Sequence, residues 1–155
     1  MECLKCILVA EDEQDDMFFL RRAFEKAGLS HKLVHVNDGM MAVAYLLGDP
    51  PFSNRVEFPL PDLLLLDLKM PKMDGFEVLA MIRSEATLQD IPVVVLSSSA
   101  LAVDMATAKK LGASEYVVKP SSPDELRKLV LQLEERWLSN PVQKVELASA
   151  VTASM

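Results

Sequence analysis

Short apolar runs alternate with longer amphipathic segments along most of the chain. Five of the runs have the length of a β-strand and cover residues 6–10, 33–36, 62–66, 93–96 and 116–118. The run at 62–66 (DLLLL) is almost entirely apolar, which is typical of a central parallel strand that is buried on both faces. The alternation of such runs with helical segments predicts a parallel sheet covered by helices.

The segments between these runs carry helical signals. Apolar residues recur at helical spacing over 13–27, over 40–47, from 76 onwards and over 103–111. A last helix begins well at Ser122-Pro123-Asp124-Glu125, because serine is a favoured cap, proline fits the first helical position and glutamate completes a capping box. We expect this helix to extend to about residue 138.

Five strand–helix units in succession, (βα)5, predict a doubly wound α/β domain. Its five-stranded parallel sheet has either the flavodoxin-like order 2-1-3-4-5 or the order of dinucleotide-binding folds. We place the folded domain at residues 1–138 and a tail, flexible or bound to a partner, at 139–155. Residues 48–61 contain four prolines. They predict a long loop that is either a binding surface or an exposed excursion.

Composition narrows the class of protein. The chain has 155 residues and a formal net charge of −7, so it is the size of one domain and would repel a nucleic-acid backbone. The first residues lack the pattern of a signal peptide, and the longest apolar run is far too short to span a bilayer. Two cysteines cannot form a disulfide framework. We therefore expect a cytoplasmic protein that binds neither membrane nor nucleic acid.

Polar residues follow each of the five strands, and those after the second, Asn37 and Asp38, lie away from the others in the order 2-1-3-4-5. Glu11 and Asp12 follow the first strand, Asp67 the third, Ser97 the fourth and Lys119 the fifth. Because function gathers at the carboxyl ends of parallel strands, these side chains are expected to converge. Crowded carboxylates resist ionisation, and a divalent cation removes that penalty; oxygen ligands of this kind suit Mg²⁺. The carboxylate that ends the central strand is the natural nucleophile for an aspartyl phosphate.

These residues together resemble the receiver domain of response regulators in two-component signalling. The matching segments span roughly residues 5–138 and are Glu11-Asp12, Asp67 in LLLLDLKMPKMDG, Ser97 in PVVVLSSSA and Lys119-Pro120 in EYVVKP. The resemblance implies that Asp67 accepts a phosphoryl group from a histidine kinase. It also implies that Asp12, Asp67 and the backbone carbonyl of Lys69 bind Mg²⁺, with Glu11 helping through a water molecule.

The same resemblance implies a switch. Ser97 would bond a phosphoryl oxygen, Lys119 would pair with Asp67 or its phosphoryl group, and Tyr116 would turn inward as the Ser97 hydroxyl moves. The changed surface would lie across the fourth helix, fifth strand and fifth helix. Two residues depart from the usual pattern: Glu11, where many relatives have aspartate, and Lys69, a cation two residues after the nucleophile that would alter the lifetime of the phosphoryl group.

The loop at 48–61 and the ILVAED start most resemble single-domain regulators that pair with bacterial-type phytochromes. The implied partner is a sensor histidine kinase, possibly phytochrome-type, or a phosphotransfer protein; a homodimer is a further expectation. On this interpretation the protein is not an enzyme, beyond self-catalysed phosphorylation and dephosphorylation. A degenerate receiver acting as a scaffold is the alternative. A phosphatase lacks the second acid, since that position is Lys69, and a nucleotide or flavin site lacks a glycine-rich loop.

Four further residues carry weaker signals. Cys3 and Cys6 form a C-x-x-C pattern that precedes a strand, whereas redox pairs usually open a helix. His31 and His35 are expected in one strand, roughly 13 Å apart, which is too far to hold one metal ion. We therefore expect both histidines at surface positions.

Overall fold

The computed structural model describes residues 4–139, and these residues form one α/β unit. Its strands are parallel and number five within that range, in the order β2-β1-β3-β4-β5. The strands are β1 (Cys6–Ala10), β2 (Lys32–Val36), β3 (Leu63–Leu66), β4 (Val93–Ser97) and β5 (Glu115–Val118). The predicted flavodoxin-like order is confirmed, and the dinucleotide-binding order is not adopted.

Each strand leads into a helix that returns to the amino-terminal edge of the sheet. The helices are α1 (Gln14–Lys26), α2 (Gly39–Leu47), α3 (Gly75–Ser84), α4 (Ala102–Lys110) and α5 (Pro123–Leu133). A short 3-10 turn at Ala86–Leu88 follows α3, and a turn of π-helix at Glu134–Leu138 extends α5. None of the helices within residues 4–139 has both the length and the apolar character needed to cross a membrane.

Polar side chains set where several helices begin. Asp38 accepts a hydrogen bond from the amide of Met41 at the start of α2, at 2.8 Å. Asp74 and Glu77 form a capping box at the start of α3. Ser122 caps α5 by accepting from the amide of Glu125, as the sequence predicts. These bonds satisfy amides that have no partner within their own helix.

The sheet separates two apolar clusters within the described residues. On one face, Leu64 and Leu66 pack with residues of α2 and α3. On the other face, Leu63 and Leu65 pack with residues of α1 and α5. Because consecutive side chains of a strand point to opposite faces, the apolar run of β3 supplies both clusters. The central strand is therefore fixed from both sides, and so is the loop that begins at its end.

The loop at 48–61 lies at the amino-terminal edge of the sheet, opposite the ends of the strands that carry Asp67 and Lys119. Phe52 is buried, and its ring packs at 5.1 Å from Tyr45 and 5.2 Å from Phe58, measured between centroids. The Tyr45 hydroxyl donates to the carbonyl of Pro59 at 2.8 Å. Phe52 anchors the loop, while most of its other residues are exposed, Val56 by 94%. Whether this exposed surface binds a partner stays a prediction.

Arg55 holds this loop to the end of α2. Its guanidinium donates to the carbonyl oxygens of Tyr45 at 2.8 Å, Leu46 at 2.9 Å and Phe58 at 3.1 Å. The last carbonyls of a helix have no partner within it, and a cation at that end also interacts favourably with the helix dipole. Arg55 therefore stabilises both the helix end and the fold of the loop.

The prediction that His31 sits at the surface is wrong: its side chain is only 4% exposed and pairs with Glu134 at 2.5 Å, while its other nitrogen accepts from the amide of Lys5 at 2.9 Å. His31 also precedes β2 rather than lying in it. The domain boundary at residue 138 and the 139–155 tail stay predictions, because residues 140–155 lie outside the described residues, as does Cys3 of the C-x-x-C pattern.

Arg55→Met removes all three bonds to carbonyl oxygens and is expected to lower the free energy of unfolding by about 2 kcal/mol. Arg55→Lys keeps the charge but not the planar guanidinium, so its free energy of unfolding should lie between those of Arg55→Met and the wild type. Urea unfolding measures both changes. An Arg55→Met protein as stable as the wild type would contradict this role for the guanidinium.

Candidate functional site

Backbone pairing brings the ends of the strands together. The amide of Asp67 donates to the carbonyl of Ala10 at 3.1 Å, so the residue after β3 lies beside the end of β1. The amide of Lys119 donates in the same way to the carbonyl of Ser97 at 2.8 Å. These bonds continue the sheet by one residue beyond the strands. The positions of the predicted site residues therefore follow from the strand register.

The ammonium group of Lys119 contacts three carboxylates at this edge of the sheet. Its Nζ lies 2.6 Å from Oε1 of Glu11, 2.7 Å from Oδ2 of Asp16 and 3.0 Å from Oδ2 of Asp67. A lysine has three N–H donors, and within the described part of the chain these three carboxylates account for them. The predicted contact between Lys119 and Asp67 is thus present in the structure.

Three carboxylates form a group suited to a divalent cation. One oxygen each from Glu11, Asp12 and Asp67 lies within 4.8 Å of the others. Glu11 and Asp67 are buried, with relative exposures of 5% and 7%, so water screens their charges poorly. Hard cations such as Mg²⁺ or Ca²⁺ prefer such oxygen ligands. The donor set therefore fits a divalent metal ion, as the sequence predicts.

The loop after β3 packs tightly against the backbone of Asp67. The amide of Gly75 donates to the carbonyl of Leu68 at 2.9 Å. A Cβ atom on Gly75 would lie 2.4 Å from the carbonyl oxygen of Asp67 and 2.8 Å from Cα of Leu68. Glycine is therefore required at this position on steric grounds. The amide of Lys69 points to Oδ1 of Asp67 at a long 3.4 Å, and its side chain is exposed.

Ser97 and Tyr116 both bond to Ser99 rather than to the acidic group. The buried Ser97 hydroxyl accepts from the amide of Ser99 at 3.1 Å. The Tyr116 hydroxyl donates to the carbonyl of Ser99 at 2.8 Å. Ser99 in turn donates from its own hydroxyl to Asp104 in α4 at 2.6 Å. One residue of the loop after β4 therefore connects Ser97, Tyr116 and the start of α4.

Comparison with known proteins agrees with this arrangement. A family model of the response regulator receiver domain matches residues 7–131. The chain belongs to the response regulator receiver family. Response regulator Rcp1 of Synechocystis sp. is 36% identical over 134 residues, which cover 86% of this chain and 89% of Rcp1. The predicted resemblance to the family is confirmed.

Solved structures add a narrower similarity. The phosphorylated cyanobacterial phytochrome response regulator RcpA is 40% identical, with a TM-score of 0.81 over 88% of this chain and 96% of RcpA. The regulator RPA3017, from red light signalling of R. palustris, is 33% identical with a TM-score of 0.84, over 88% of this chain and 95% of RPA3017. Rcp1 in its Mn²⁺-bound form is 35% identical with a TM-score of 0.78, and the match covers 88% of this chain and 96% of Rcp1. The receiver is thus similar to phytochrome response regulators, as the sequence predicts.

Burial and crowding change how the receiver's site ionises. Burial raises the pKa of Glu11 to about 7, and the neighbouring Asp67 carboxylate adds to this, although Lys119 opposes both. Burial alone would lower the pKa of Lys119. The hydrogen bonds to Asp16 and Glu11, together with the charge of Asp67, outweigh that effect and raise it. Lys119 is therefore the permanent charge at the site, and Glu11 is the group that exchanges a proton near neutral pH.

A cavity borders the acidic group. It measures about 210 Å³ and lies between α1 and α5. Its apolar wall includes Phe19, Leu20 and Leu126, and its polar end is formed by residues of the site, Asp67 and Lys119 among them. The buried Asp67 therefore forms part of the wall of this cavity.

Sequence reasoning missed three residues of the receiver's site. Asp16 bonds Lys119, His35 donates from Nε2 to the carbonyl of Glu11 at 2.7 Å, and Ser99 links Ser97 to Tyr116. The only available signal for Asp16 was its place in the first turn of a helix that follows the acidic strand end. The exposed Asp15 shares that signal, so the pattern alone could not choose between them.

The proton on Glu11 predicts a pH dependence of stability in the metal-free protein. Its pKa is about 7 in the folded chain and near its ordinary value of 4.5 in the unfolded chain. Between these values the folded chain holds the proton and the unfolded chain has lost it. This contribution therefore lowers the free energy of unfolding as the pH rises from about 4.5 to about 7.

Glu11→Gln is uncharged at every pH and isolates this contribution. Urea unfolding in a metal chelator should show that the stability of the wild type, relative to Glu11→Gln, falls as the pH rises through this window. A relative stability that is constant or rises with pH would show that folding leaves the Glu11 pKa unchanged or lowers it.

Proposed function

We propose that this receiver is a single-domain response regulator that accepts a phosphoryl group on Asp67 from a histidine kinase, in a Mg²⁺-dependent transfer. The observation that carries the proposal is the contact of Lys119 with Asp67 beside the carboxylates of Glu11 and Asp12. A positive group and a metal ion beside the acceptor can together neutralise the charge of a phosphoryl group.

Mg²⁺ would be held by Asp12, Asp67 and the backbone carbonyl of Lys69, with Glu11 reaching it through water. When bound, Mg²⁺ offsets the repulsion among the carboxylates and the incoming phosphoryl oxygens. The comparison with Rcp1 supports a divalent cation, because that protein's structure is described as Mn²⁺-bound. We propose Mg²⁺ as this ion, because a few carboxylates completed by water molecules suit its coordination.

The transfer follows from the positions of the side chains. A carboxylate oxygen of Asp67 attacks the phosphorus of a phosphohistidine, a P–O bond forms and the P–N bond breaks. The histidine nitrogen keeps the electron pair, and the aspartate becomes an acyl phosphate. The donor of Lys119 that now meets Asp67 turns to a phosphoryl oxygen. Because Asp67 is consumed in each transfer, we propose that the receiver is not an enzyme in the ordinary sense.

The switch passes through Ser99. The Ser97 hydroxyl accepts from the Ser99 amide, so its own proton is free to be donated to a phosphoryl oxygen. A movement of Ser97 toward the phosphoryl group would draw the Ser99 backbone with it and change the bond from the Tyr116 hydroxyl. The surface of α4, β5 and α5 would then change, and exposed apolar residues such as Leu101 and Val103 already lie there.

The proposed partner is a sensor histidine kinase of the phytochrome type, or a phosphotransfer protein. The similarity to RcpA and RPA3017 supports this choice, since those regulators are described in phytochrome and red-light signalling. The net charge of −7 disfavours nucleic acid as a direct partner. We propose that the receiver acts in the cytoplasm, where such kinases phosphorylate their partners; the homodimer stays a prediction.

Incubation with acetyl phosphate and Mg²⁺, followed by intact mass, tests the acceptor. We expect the wild type to gain one phosphoryl group and Asp67→Asn to gain none, because the amide cannot form the acyl phosphate. Asp90→Asn is the matched control, since Asp90 is an exposed aspartate at the opposite edge of the sheet. Removing Mg²⁺ with a chelator should also abolish the gain.

A wild type that gains no phosphoryl group from acetyl phosphate or from a purified kinase would favour the alternative, a degenerate receiver that acts as a scaffold. Labelling that persists in Asp67→Asn would place the acceptor elsewhere.

A further inference from the structure

Asp16 is the partner of Lys119 that the proposed reaction does not otherwise use. It lies in the first turn of α1, and its Oδ2 is 2.7 Å from Nζ of Lys119. Its side chain is 43% exposed, so it reaches the site from the solvent side, whereas Glu11 and Asp67 are buried. The bond is a charge-assisted hydrogen bond, which is stronger and more directional than a neutral one.

The carboxylates around Lys119 differ in what the reaction does to them. Glu11 and Asp67 belong to the group of oxygens that would hold a cation, so a bound metal shares their charge. Asp67 also loses its negative charge when it becomes an acyl phosphate. Among the described residues, Asp16 is therefore the one partner of Lys119 whose carboxylate is neither a metal ligand nor the phosphoryl acceptor.

We propose that Asp16 is a positioning residue that keeps the Lys119 ammonium directed at Asp67 while metal and phosphoryl group occupy the site. The inference rests on the proposed function of Asp67 as the acceptor. Two N–H donors of Lys119 are engaged by Asp16 and Glu11, and the third is left to face Asp67. When Glu11 interacts with the bound cation, its bond to Lys119 weakens, and the bond from Asp16 keeps the Lys119 ammonium in place.

An opposing effect must be weighed. Asp16 adds a negative charge to a site that a negatively charged phosphodonor has to approach, so its removal could speed the reaction. Water screens the repulsion between the exposed Asp16 carboxylate and an approaching phosphodonor. It weakens the direct bond from Asp16 to Lys119, at 2.7 Å, far less. Misplacement of a catalytic group by about 1 Å can cost about 100-fold in rate. Loss of the bond to Lys119 should therefore dominate.

The test compares Asp16→Ala with Asp15→Ala. Asp15 is the exposed neighbour in the same helical turn, and it forms no ion pair within residues 4–139. Both variants lose one negative charge and gain the same helix-favouring residue, and only Asp16→Ala also loses the contact with Lys119. The rate of labelling by acetyl phosphate is followed by intact mass across a range of Mg²⁺ concentrations, with the melting temperature as a check on folding.

We expect Asp16→Ala to label about 10-fold more slowly than Asp15→Ala at saturating Mg²⁺. The Mg²⁺ concentration for half-maximal rate should stay within about 3-fold of the wild type, because Asp16 is not a metal ligand. This separation of maximal rate from metal dependence would not arise from a general loss of structure. Asp16→Asn, which keeps the shape and an acceptor oxygen, serves as the second variant if Asp16→Ala is unstable, and it should be intermediate in rate.

Each other outcome overturns a defined part of the account. Equal rates for the two alanine variants, or a faster Asp16→Ala, would overturn the role of Asp16 while the acceptor role of Asp67 stands. A large shift in Mg²⁺ dependence would place Asp16 in the metal group and so also overturn the inference. No labelling of the wild type would overturn the proposed function itself and the inference with it.

Discussion

The structure depends on the crowding of several carboxylates around one ammonium group. Glu11 and Asp67 are buried at neighbouring strand ends, where their charges repel each other strongly. Lys119 offsets part of that repulsion through bonds of 2.6 Å and 3.0 Å to these two carboxylates. The pKa of Glu11 is raised to about 7 chiefly because the carboxyl is buried, and the nearby Asp67 carboxylate raises it further. A cation has a place here because the protein does not neutralise these charges by itself.

The topology explains why the ammonium must be a lysine. In the order 2-1-3-4-5, β4 lies between β5 and β3, so Lys119 must reach across a strand to contact Asp67. Two strand spacings are about 10 Å, which only a long side chain can span. The apolar core on both faces of β3 and the close contact of Gly75 with Asp67 fix the other end of this contact. The buried charges are thus held by a rigid central strand and by a long side chain from the sheet's edge strand.

The sequence predicted the parts of the molecule that depend on local pattern. The apolar runs predicted the strands. The residues at the ends of four of these runs predicted the site residues Glu11, Asp67, Ser97 and Lys119. Parallel strands place their carboxyl ends at one edge of a sheet, so convergence of these residues followed from the topology alone. The cap at Ser122 was predictable for the same reason, since capping is set within a few residues.

The parts that escaped prediction depend on contacts between distant segments. Asp16 differs from Asp15 only in facing Lys119, which is 103 residues away in the chain. Arg55 stabilises α2 through carbonyl groups, which every residue carries and no pattern marks. His31 is polar in the sequence, yet it is buried because Glu134 and the amide of Lys5 satisfy both of its nitrogens. The periodicity and spacing of residues in a sequence do not predict such long-range hydrogen bonds.

The central claim is that one aspartate is phosphorylated between a metal ion and Lys119. A crystal structure of the protein with Mg²⁺ and beryllofluoride, an analogue of the phosphoryl group, tests it most directly. We expect beryllofluoride on Asp67, the cation among Glu11, Asp12 and Asp67, and Nζ of Lys119 within hydrogen-bonding distance of a fluorine. A cation bound elsewhere, or a Lys119 side chain directed away from the analogue, would contradict it.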